Sequence, residues 1–367
     1  MTSGPDGLTD ADRTHLRRAL ALARRGWGRV HPNPMVGCVI VRNEVVVGEG
    51  WHREWGGPHA EVMALAEAGA AARGATAFVS LEPCRHAGKT GACTAALQEA
   101  GIRRVVFGAA DPGRESGGGA EELRRAGVEV VGPVLTPAEA RRENPAFFHT
   151  DEGRPWTALK LAVSLDGGIA AAPGRRTPVS GPEVGRRVQE LRAGFDAIVV
   201  GARTARVDDP LLTVRGPVEP RVPPRRVVLD GRGTLEPGAR LLSEGDGVVQ
   251  LVTTEAAEPD WLRRMEDAGA RVLTVEGRDG RVEPAAALRA LRSEGVEALL
   301  CEGGGVVASA LLSRGLVDRV YLAVAPRFLG PDAVAAFPRV EGGGRWEMAG
   351  DPERLGRDVW LTLDREV

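Results

Sequence analysis

The chain has 367 residues, of which 43% are hydrophobic. Because a typical domain contains about 100–200 residues, this length predicts two domains, each with its own core. The 48 basic and 50 acidic residues give a net charge of -2, which argues against a dedicated nucleic-acid binder because such proteins usually have a clear basic excess. No window of 18 uninterrupted apolar residues and no signal-peptide core occur, so we expect a cytoplasmic protein without a membrane span.

Four cysteines are too few and too scattered for a disulfide framework: Cys38, Cys84, Cys93 and Cys301. In a reducing compartment, a close pair such as Cys84 and Cys93 indicates metal binding first. Cys38 and Cys301 adjoin apolar strand-like segments, so we interpret both as core residues.

Strand-like and helix-like segments alternate through the first half of the chain, which is typical of α/β proteins. We predict helices from Thr9 to about Arg25 and at His59–Ala72, Thr94–Ala100 and Ala120–Arg125, and strands at Val36–Val41, Val45–Val47, Ala77–Leu81, Val105–Gly108 and Val128–Val131. The first helix has a capping signal, Thr9 followed by Asp12. Gly132–Pro155 has no long period, so we place a domain boundary near Asp151, between domains 1–150 and 151–367.

The second half repeats this alternation. We predict strands at Thr157–Val163, Ala197–Val200, Arg226–Leu229, Val248–Thr253, Arg271–Val275, Ala298–Cys301, Val320–Ala325 and Val359–Leu363, and helices at Glu183–Leu191, Ala285–Ser293 and Val306–Leu312. The proline- and arginine-rich segment Gly216–Arg226 is typical of a surface loop.

Three residues with the chemistry of zinc ligands occur in the first domain. His59-Ala60-Glu61 opens a predicted helix, Cys84 follows a predicted strand after Pro83, and Cys93 lies nine residues further on. Three protein ligands leave the fourth tetrahedral position of a zinc ion open for water, whose pKa the metal lowers. Glu61 is two residues from His59 and can carry the water's proton to a leaving ammonia. This order is the H-x-E…P-C…C pattern of zinc deaminases that act on nucleobases, with eight residues instead of two between the cysteines.

Polar residues flank this pattern. Asn33, in the proline-fixed loop His31–Gly37, has an amide that can offer a donor and an acceptor to a base edge. His52, His86 and Lys89 stand near the metal residues, and the two histidines can equally be surface polar residues.

Motifs in both halves resemble the bifunctional deaminase/reductase family of riboflavin biosynthesis. In the first half they are His31–Gly37, Pro58–Val62 and Leu81–Cys84 followed by Cys93; in the second they are Lys160–Gly167, Val207–Pro210 with Thr213 and Arg215, and Glu302–Gly304. Together they span about residues 9 to 365. Other zinc deaminases share the first set but not the second, so the combination is much more specific than either.

The resemblance implies a fold and two activities. The fold would be α/β throughout, with an N-terminal cytidine-deaminase-like α/β/α domain and a C-terminal dihydrofolate-reductase-like α/β domain. The first domain, holding one Zn²⁺ per chain, would hydrolyse the 2-amino group of 2,5-diamino-6-(5-phosphoribosylamino)pyrimidin-4(3H)-one. The second would reduce the ribosyl group of the product to ribityl with NADPH. We also expect a homo-oligomer, and neither a nucleic-acid nor a membrane partner.

Residue roles come from the same resemblance. Asn33 would hold the pyrimidine, and His52, His86 and Lys89 would meet the ribose phosphate. The reductase substrate site would be lined by Lys160, Arg192, Leu212, Arg215 and Glu302. The cofactor would touch Ala162, Thr204, Asp208, Gly303, Gly304, Gly305, Val306 and Val307.

The sequence departs from the family pattern at two places. In the loop between Cys84 and Cys93 the usual serine and prolines are absent, although the ligands and Lys89 are present. In Arg176–Gly181 the tryptophan expected to contact the cofactor is replaced by Pro178.

Physical arguments add less for the second domain. The turn Gly303–Gly305, between a strand and a helix, can accept a phosphate or can simply be a tight connection, and it is not a six-residue dinucleotide fingerprint. Lys160, within an apolar strand, is either an edge residue or directed into a site, where Glu302 could be its partner. Asp208-Asp209 could merely cap a turn before Pro210.

Three alternative functions follow from the same residues. The protein could be a deaminase alone, with a degenerate second half acting in oligomerisation or regulation. An RNA-editing deaminase would need a basic, aromatic surface, whereas aromatic residues make up only 4% of the chain. A structural zinc protein would need a fourth ligand, and the sequence offers no obvious one nearby.

Overall fold

The computed structural model describes residues 8–86, 91–151 and 153–366. The chain divides between Phe148 and His149 into two compact units. Each unit has its own sheet, flanked by helices. Among the described residues, every helix is too short or too polar to cross a lipid bilayer.

The first unit contains a five-stranded sheet in the order β2-β1-β3-β4-β5. Its elements are α1 (Asp10–Ala23), β1 (Gly37–Arg42), β2 (Val45–Trp51), α2 (Ala60–Ala68), β3 (Thr76–Leu81), α3 (Cys93–Glu99), β4 (Arg104–Ala109), α4 (Gly119–Arg125), β5 (Glu129–Val131) and α5 (Pro137–Glu143). The hairpin β1–β2 is antiparallel, and β3, β4 and β5 run parallel. The predicted capping box of Thr9 and Asp12 begins α1.

Helices cover both faces of this sheet because the strands alternate their buried side chains. Val39 and Val41 of β1 pack in one core with α1, whereas Cys38 and Ile40 pack in the other core with α2. Close approach of α2 to β2 requires glycine at Gly50, where a Cβ atom would lie 2.3 Å from the carbonyl oxygen of Ala60. This contact fixes the first turn of α2, which carries Glu61.

The second unit contains a larger mixed sheet in the order β11-β10-β9-β8-β14-β6-β15-β19-β17, with β18 also paired to β19. The elements are β6 (Trp156–Ser164), β7 (Gly168–Ala170), α6 (Pro182–Arg192), β8 (Ala197–Gly201), α7 (Ala202–Asp208), β9 (Arg225–Leu229), α8 (Arg240–Ser243), β10 (Val249–Thr253), α9 (Pro259–Asp267), β11 (Arg271–Thr274), β12 (Gly277–Arg278), β13 (Arg281–Val282), α10 (Pro284–Ser293), β14 (Ala298–Cys301), α11 (Gly305–Ser313), β15 (Arg319–Ala325), β16 (Val334–Ala335), β17 (Trp346–Met348), β18 (Glu353–Leu355) and β19 (Asp358–Arg365).

The centre of this sheet is parallel and buried. Strand β6 lies between β14 and β15 and pairs in parallel with both, so Lys160 is not on an edge strand. The chain leaves the carboxyl ends of β8 and β14 at Gly201 and Cys301, on the same edge of the sheet. Ligands of α/β sheets commonly bind at this edge.

Three differences from the sequence-based prediction have local causes. The helix that begins after His59 ends at Ala68, and a 3₁₀ turn covers Gly69–Ala72. Helix α5 lies in the segment that we interpreted as irregular, where Thr136 and Glu139 form a capping box ahead of a short helix. Helix α7 occupies a stretch for which we predicted no helix, and it ends at Asp209 in the left-handed conformation (φ 42°).

Candidate active sites

The three predicted metal residues converge in the first unit. His59 precedes α2, Cys84 follows β3, and Cys93 opens α3. Their ligand atoms all lie within 4.8 Å of one another. His59 Nδ1 is 3.2 Å from Cys93 Sγ and 3.5 Å from Cys84 Sγ. Since Zn–N and Zn–S bonds of about 2.0 and 2.3 Å at a tetrahedral angle give an N–S separation of about 3.5 Å, the cluster fits a zinc ion.

The thiols of Cys84 and Cys93 have pKa values shifted in opposite directions because they share one proton. A hydrogen bond from Cys93 lowers the pKa of Cys84 to about 4, and the neighbouring His59 acts in the same direction. The pKa of Cys93 is raised by that hydrogen bond and by its burial. One thiolate is therefore already favoured at neutral pH, as a metal site requires.

Glu61 lies directly beside this cluster. Its side chain is buried, and this burial raises the pKa of the carboxyl group above its ordinary value. The neighbouring Cys84 also raises this pKa, whereas His59 and a hydrogen bond with Cys93 lower it. Glu61 therefore lies next to the metal residues. A buried carboxylate with a raised pKa is a better proton acceptor than an exposed one.

His52 is buried, so the surface interpretation of this residue is wrong. His52 Nδ1 lies 3.1 Å from the carbonyl oxygen of Pro58, and Nε2 lies 3.1 Å from Nδ2 of Asn33. Burial lowers the pKa of His52. A neutral ring that donates from Nδ1 and accepts at Nε2 satisfies both contacts and orients the Asn33 amide.

His86 is exposed two residues after Cys84, and Lys89 lies outside the described residues. Two carboxylates for which no role was predicted, Glu82 and Asp111, also lie near Cys84. Buried Glu82 accepts hydrogen bonds from the backbone N–H groups of Asp111 and Ala120, and burial raises the pKa of Asp111. A glutamate next to the Pro83-Cys84 pair was the available signal.

The second unit contains a cavity of about 710 Å³. It is bordered by the carboxyl ends of β8 and β14, by α7 and by the first turn of α11. All the predicted reductase residues line it: Lys160, Ala162, Arg192, Thr204, Asp208, Leu212, Arg215, Glu302, Gly303, Gly304, Gly305, Val306 and Val307. The other lining residues include Ile169, Arg175, Arg203 and Arg240, for which no role was predicted.

Lys160 lies beside an ion pair inside this cavity. Arg192 Nε is 2.7 Å from Glu302 Oε1, and Arg192 Nη2 is 2.9 Å from Oε2. Glu302 therefore has Arg192 as its hydrogen-bonded partner, and it influences Lys160 through its charge. Burial lowers the pKa of Lys160 and outweighs the opposite effect of Glu302.

The glycine turn brings two helix starts together. The Gly304 N–H donates to Thr204 Oγ1 over 3.1 Å. A Cβ atom at Gly305 would lie 2.5 Å from the carbonyl oxygen of Ala335, so glycine is required there for packing against β16. The turn is thus both a tight connection and part of the cavity wall.

The segment that departs from the family pattern also lines the cavity, from Gly174 to Ser180. The carbonyl oxygen of Pro178 accepts a hydrogen bond from Arg327 Nη1 over 3.0 Å. Gly181 N–H donates to Asp358 Oδ2 over 2.6 Å. The segment is thus held at two points, with a proline at the position where the family pattern has an aromatic ring.

Comparisons with known proteins match both units. The model of the cytidine and deoxycytidylate deaminase zinc-binding region matches residues 9–109, and the RibD C-terminal domain matches residues 155–347. The riboflavin biosynthesis protein RibD of Escherichia coli (strain K12) is 37% identical over 96% of this chain and 99% of its own length. The RibD protein of Synechocystis is 38% identical over 87% of this chain and 86% of its own length.

The chain belongs to the RibD family. A structure of Acinetobacter baumannii RibD superposes with a TM-score of 0.80 at 34% identity, covering 97% of this chain and 99% of the other. A crystal structure from Thermotoga maritima, described as a diaminohydroxyphosphoribosylaminopyrimidine deaminase/5-amino-6-(5-phosphoribosylamino)uracil reductase, has a TM-score of 0.79 at 32% identity, covering 97% of this chain and 99% of the other. The predicted fold class, two α/β units of the RibD type, is confirmed.

Membership of the RibD family also settles the class of enzyme. The chain is a bifunctional riboflavin biosynthesis enzyme with a zinc-dependent deaminase and an NADPH-dependent reductase. The deaminase-only alternative is not favoured, because the RibD C-terminal domain is present and its cavity contains the residues expected of a reductase.

Proposed function

We propose that this enzyme deaminates 2,5-diamino-6-(5-phosphoribosylamino)pyrimidin-4(3H)-one and then reduces the ribosyl group of the product to ribityl. One observation carries the proposal: a single chain pairs a His-Cys-Cys cluster beside a buried glutamate with a cationic cavity lined by Lys160. The Thermotoga maritima relative, whose name contains both activities, supports the assignment of substrates. Domains 1–150 and 151–367 would carry the first and the second step.

In the deaminase, His59, Cys84 and Cys93 would hold the zinc ion. When bound, zinc supplies a water of lowered pKa as the nucleophile. Glu61 accepts the proton of that water on its carboxylate and passes it to the amino group that leaves as ammonia. Its burial beside the three ligands supports this role, because a carboxyl group in that environment both accepts and returns a proton readily.

The remaining deaminase residues would bind the substrate. Asn33 would contact the pyrimidine edge with its amide, which the contact between Asn33 Nδ2 and His52 Nε2 holds in position. His86 and Lys89 would meet the ribose phosphate, and the exposure of His86 is compatible with contact to a charged group.

In the reductase, NADPH supplies a hydride, so the protein must supply one proton and hold both reactants. Lys160 would provide the proton at its Nζ atom, because burial lowers its pKa and makes proton release easier. Glu302, fixed by Arg192, balances the charge of Lys160, while Leu212 and Arg215 would complete the substrate site. Ala162, Thr204, Asp208 and the turn Gly303–Val307 would contact the cofactor.

The experiment is to incubate the purified full chain with the diaminopyrimidine phosphate and NADPH. Ammonia release and NADPH consumption are recorded together, and NADPH alone serves as the blank. We expect one ammonia and one NADPH per substrate, with ammonia first. Ammonia release without NADPH consumption would contradict the reductase assignment, and consumption without ammonia would contradict the deaminase assignment.

Two further expectations remain predictions. The first is that the protein forms a homo-oligomer, which light scattering during size-exclusion chromatography would test. The second is a cytoplasmic location without nucleic-acid or membrane partners.

A further inference from the structure

The cavity of the second unit is strongly cationic in a chain whose net charge is -2. Seven basic and three acidic side chains line it among the described residues: Lys160, Arg175, Arg176, Arg192, Arg203, Arg215, Arg240, Asp208, Asp209 and Glu302. NADPH and the sugar phosphate together carry several phosphate groups. We therefore expect different arginines to bind different phosphates. The partners of each arginine show which of them remain available.

Three of these arginines interact with a carboxylate group of the protein. Arg192 is paired with Glu302, and Arg240 is paired with Glu244 through two contacts of 2.9 Å. Burial raises the pKa of Asp208, and the charge of Arg176 acts in the opposite direction. Within the described residues, the side chains of Arg175, Arg203 and Arg215 have no hydrogen-bond or ion-pair partner, and all three are exposed.

The position of Arg203 separates it from the other two. Arg203 lies in the first turn of α7, next to Thr204, whose hydroxyl group accepts the hydrogen bond from Gly304 N–H. One residue before α7, a Cβ atom on Gly201 would lie 2.8 Å from Val307 Cγ2 in the first turn of α11. The start of α7 is therefore packed against the glycine turn, and Arg203 enters the cavity from that side.

Arg215 is held next to α6 rather than on α7. Its backbone N–H is held by Gln189 of α6, and Thr213, two residues earlier, accepts a hydrogen bond from Arg192. Arg215 therefore lies close in the chain to the segment that Arg192 contacts. Arg175 lies on the exposed loop before α6 rather than on a helix or strand.

We propose that Arg203 binds the 2′-phosphate of NADPH and thereby selects NADPH over NADH. The proposal rests on the reductase function proposed above. A guanidinium group carried on a helix can form paired hydrogen bonds to a phosphate that NADH does not carry. When NADH binds, Arg203 has no anion to meet, so the side chain discriminates between the two cofactors without touching the nicotinamide.

The test compares ligands that differ only in that phosphate. Binding of adenosine 2′,5′-bisphosphate and of 5′-AMP to the full chain is measured by calorimetry, and kcat/KM is measured with NADPH and with NADH. Arg203→Gln is expected to weaken the bisphosphate and NADPH by about ten- to a hundred-fold, the usual range for one hydrogen-bonded charge pair. AMP and NADH should change by less than about two-fold, and Arg203→Lys should recover part of the loss because it retains the charge.

Matched variants make the result specific. Arg206→Gln, an exposed arginine of the same helix that does not line the cavity, should leave all four values unchanged. The inference is overturned if Arg203→Gln leaves the NADPH-to-NADH ratio unaltered, if it weakens both cofactors equally, or if Arg175→Gln alone lowers the ratio. Wild-type protein that binds neither cofactor would instead remove the reductase function itself, and the inference with it.

Discussion

Arg192 and Glu302 meet in a two-pronged ion pair, with N–O distances of 2.7 and 2.9 Å, although they lie 110 positions apart in the chain. The third nitrogen of Arg192 donates to the carbonyl oxygen of Thr213 over 2.8 Å. Their side chains are only 10% and 14% exposed, so the pair is largely shielded from water. Because it joins the end of α6 to the residue after β14, it fixes one wall of the reductase cavity.

Removing one partner of this pair should destabilise the reductase unit. Arg192→Met leaves the Glu302 carboxylate buried without its cation, which we expect to lower the free energy of unfolding by about 3–5 kcal/mol. Urea denaturation followed by circular dichroism measures the change. The double variant Arg192→Met/Glu302→Leu should recover most of the loss. A single variant as stable as wild type would mean that water reaches the pair freely.

The pH dependence of the reductase step should report on Lys160. Burial lowers the pKa of Lys160 below its ordinary value of 10.5, so the protonated form required of a proton donor is lost as the pH rises through that lowered pKa. Glu302 raises this pKa, and Glu302→Gln should therefore move the basic limb of kcat/KM to lower pH. Arg215→Gln, as the comparison, should alter KM without moving the limb. A limb that does not shift in Glu302→Gln would assign it to another group.

Zinc content tests the metal ligands. Purified protein should contain about one zinc per chain, since three ligands form one open site. Cys84→Ser should lose most of it, as measured by plasma emission spectrometry. Cys38→Ala, which alters a buried cysteine of the same unit that is not part of the cluster, should retain zinc if the circular dichroism spectrum is unchanged. Full zinc occupancy in Cys84→Ser would exclude Cys84 from the ligand set.

Glu61 can be tested without disturbing the metal. Glu61→Gln keeps the size and hydrogen bonding of the side chain but cannot accept a proton, so ammonia release should fall by about a hundred- to ten thousand-fold. Zinc content should remain, and reduction of separately supplied deaminated substrate should continue at the wild-type rate. Near-normal ammonia release by this variant would show that the proton moves through another group.

The extent to which sequence alone predicted this molecule depended on how local each feature is. The strand Ala298–Cys301 has the predicted bounds because a short apolar run between a helix and a glycine turn has one good interpretation. Helix α9 was missed, although Trp261 and Met265 are spaced four residues apart and buried on one face. Short helices of this kind are stabilised mainly by packing, which composition does not reveal.

The deaminase and reductase sites differ in how far local sequence could predict them. His59, Glu61, Cys84 and Cys93 could be found because their order and spacing carry the chemistry. The reductase cavity depends on pairings between distant segments. From the sequence, Lys160 could be either an edge residue or a residue directed into a site with Glu302 as its partner. It offered no signal that Arg192 would bind Glu302, since the contact forms only when α6 and β14 meet in the folded sheet.

Lys160 offers the sharpest separation of the two activities. Its side chain lines the cavity beside Glu302 and the Arg192 guanidinium, in the middle of an interior strand. We expect Lys160→Ala to abolish NADPH-dependent reduction, because Lys160 supplies the proton in the proposed mechanism, while ammonia release continues at the wild-type rate. Arg215→Ala should mainly raise KM for the reductase substrate, as happens when binding shared by the ground state and the transition state is lost. Steady-state kinetics of each half-reaction, with fluorescence titration of NADPH as a folding control, provides the measurement. If both activities survived in Lys160→Ala, its burial would be purely structural, and the proton would have to come from solvent.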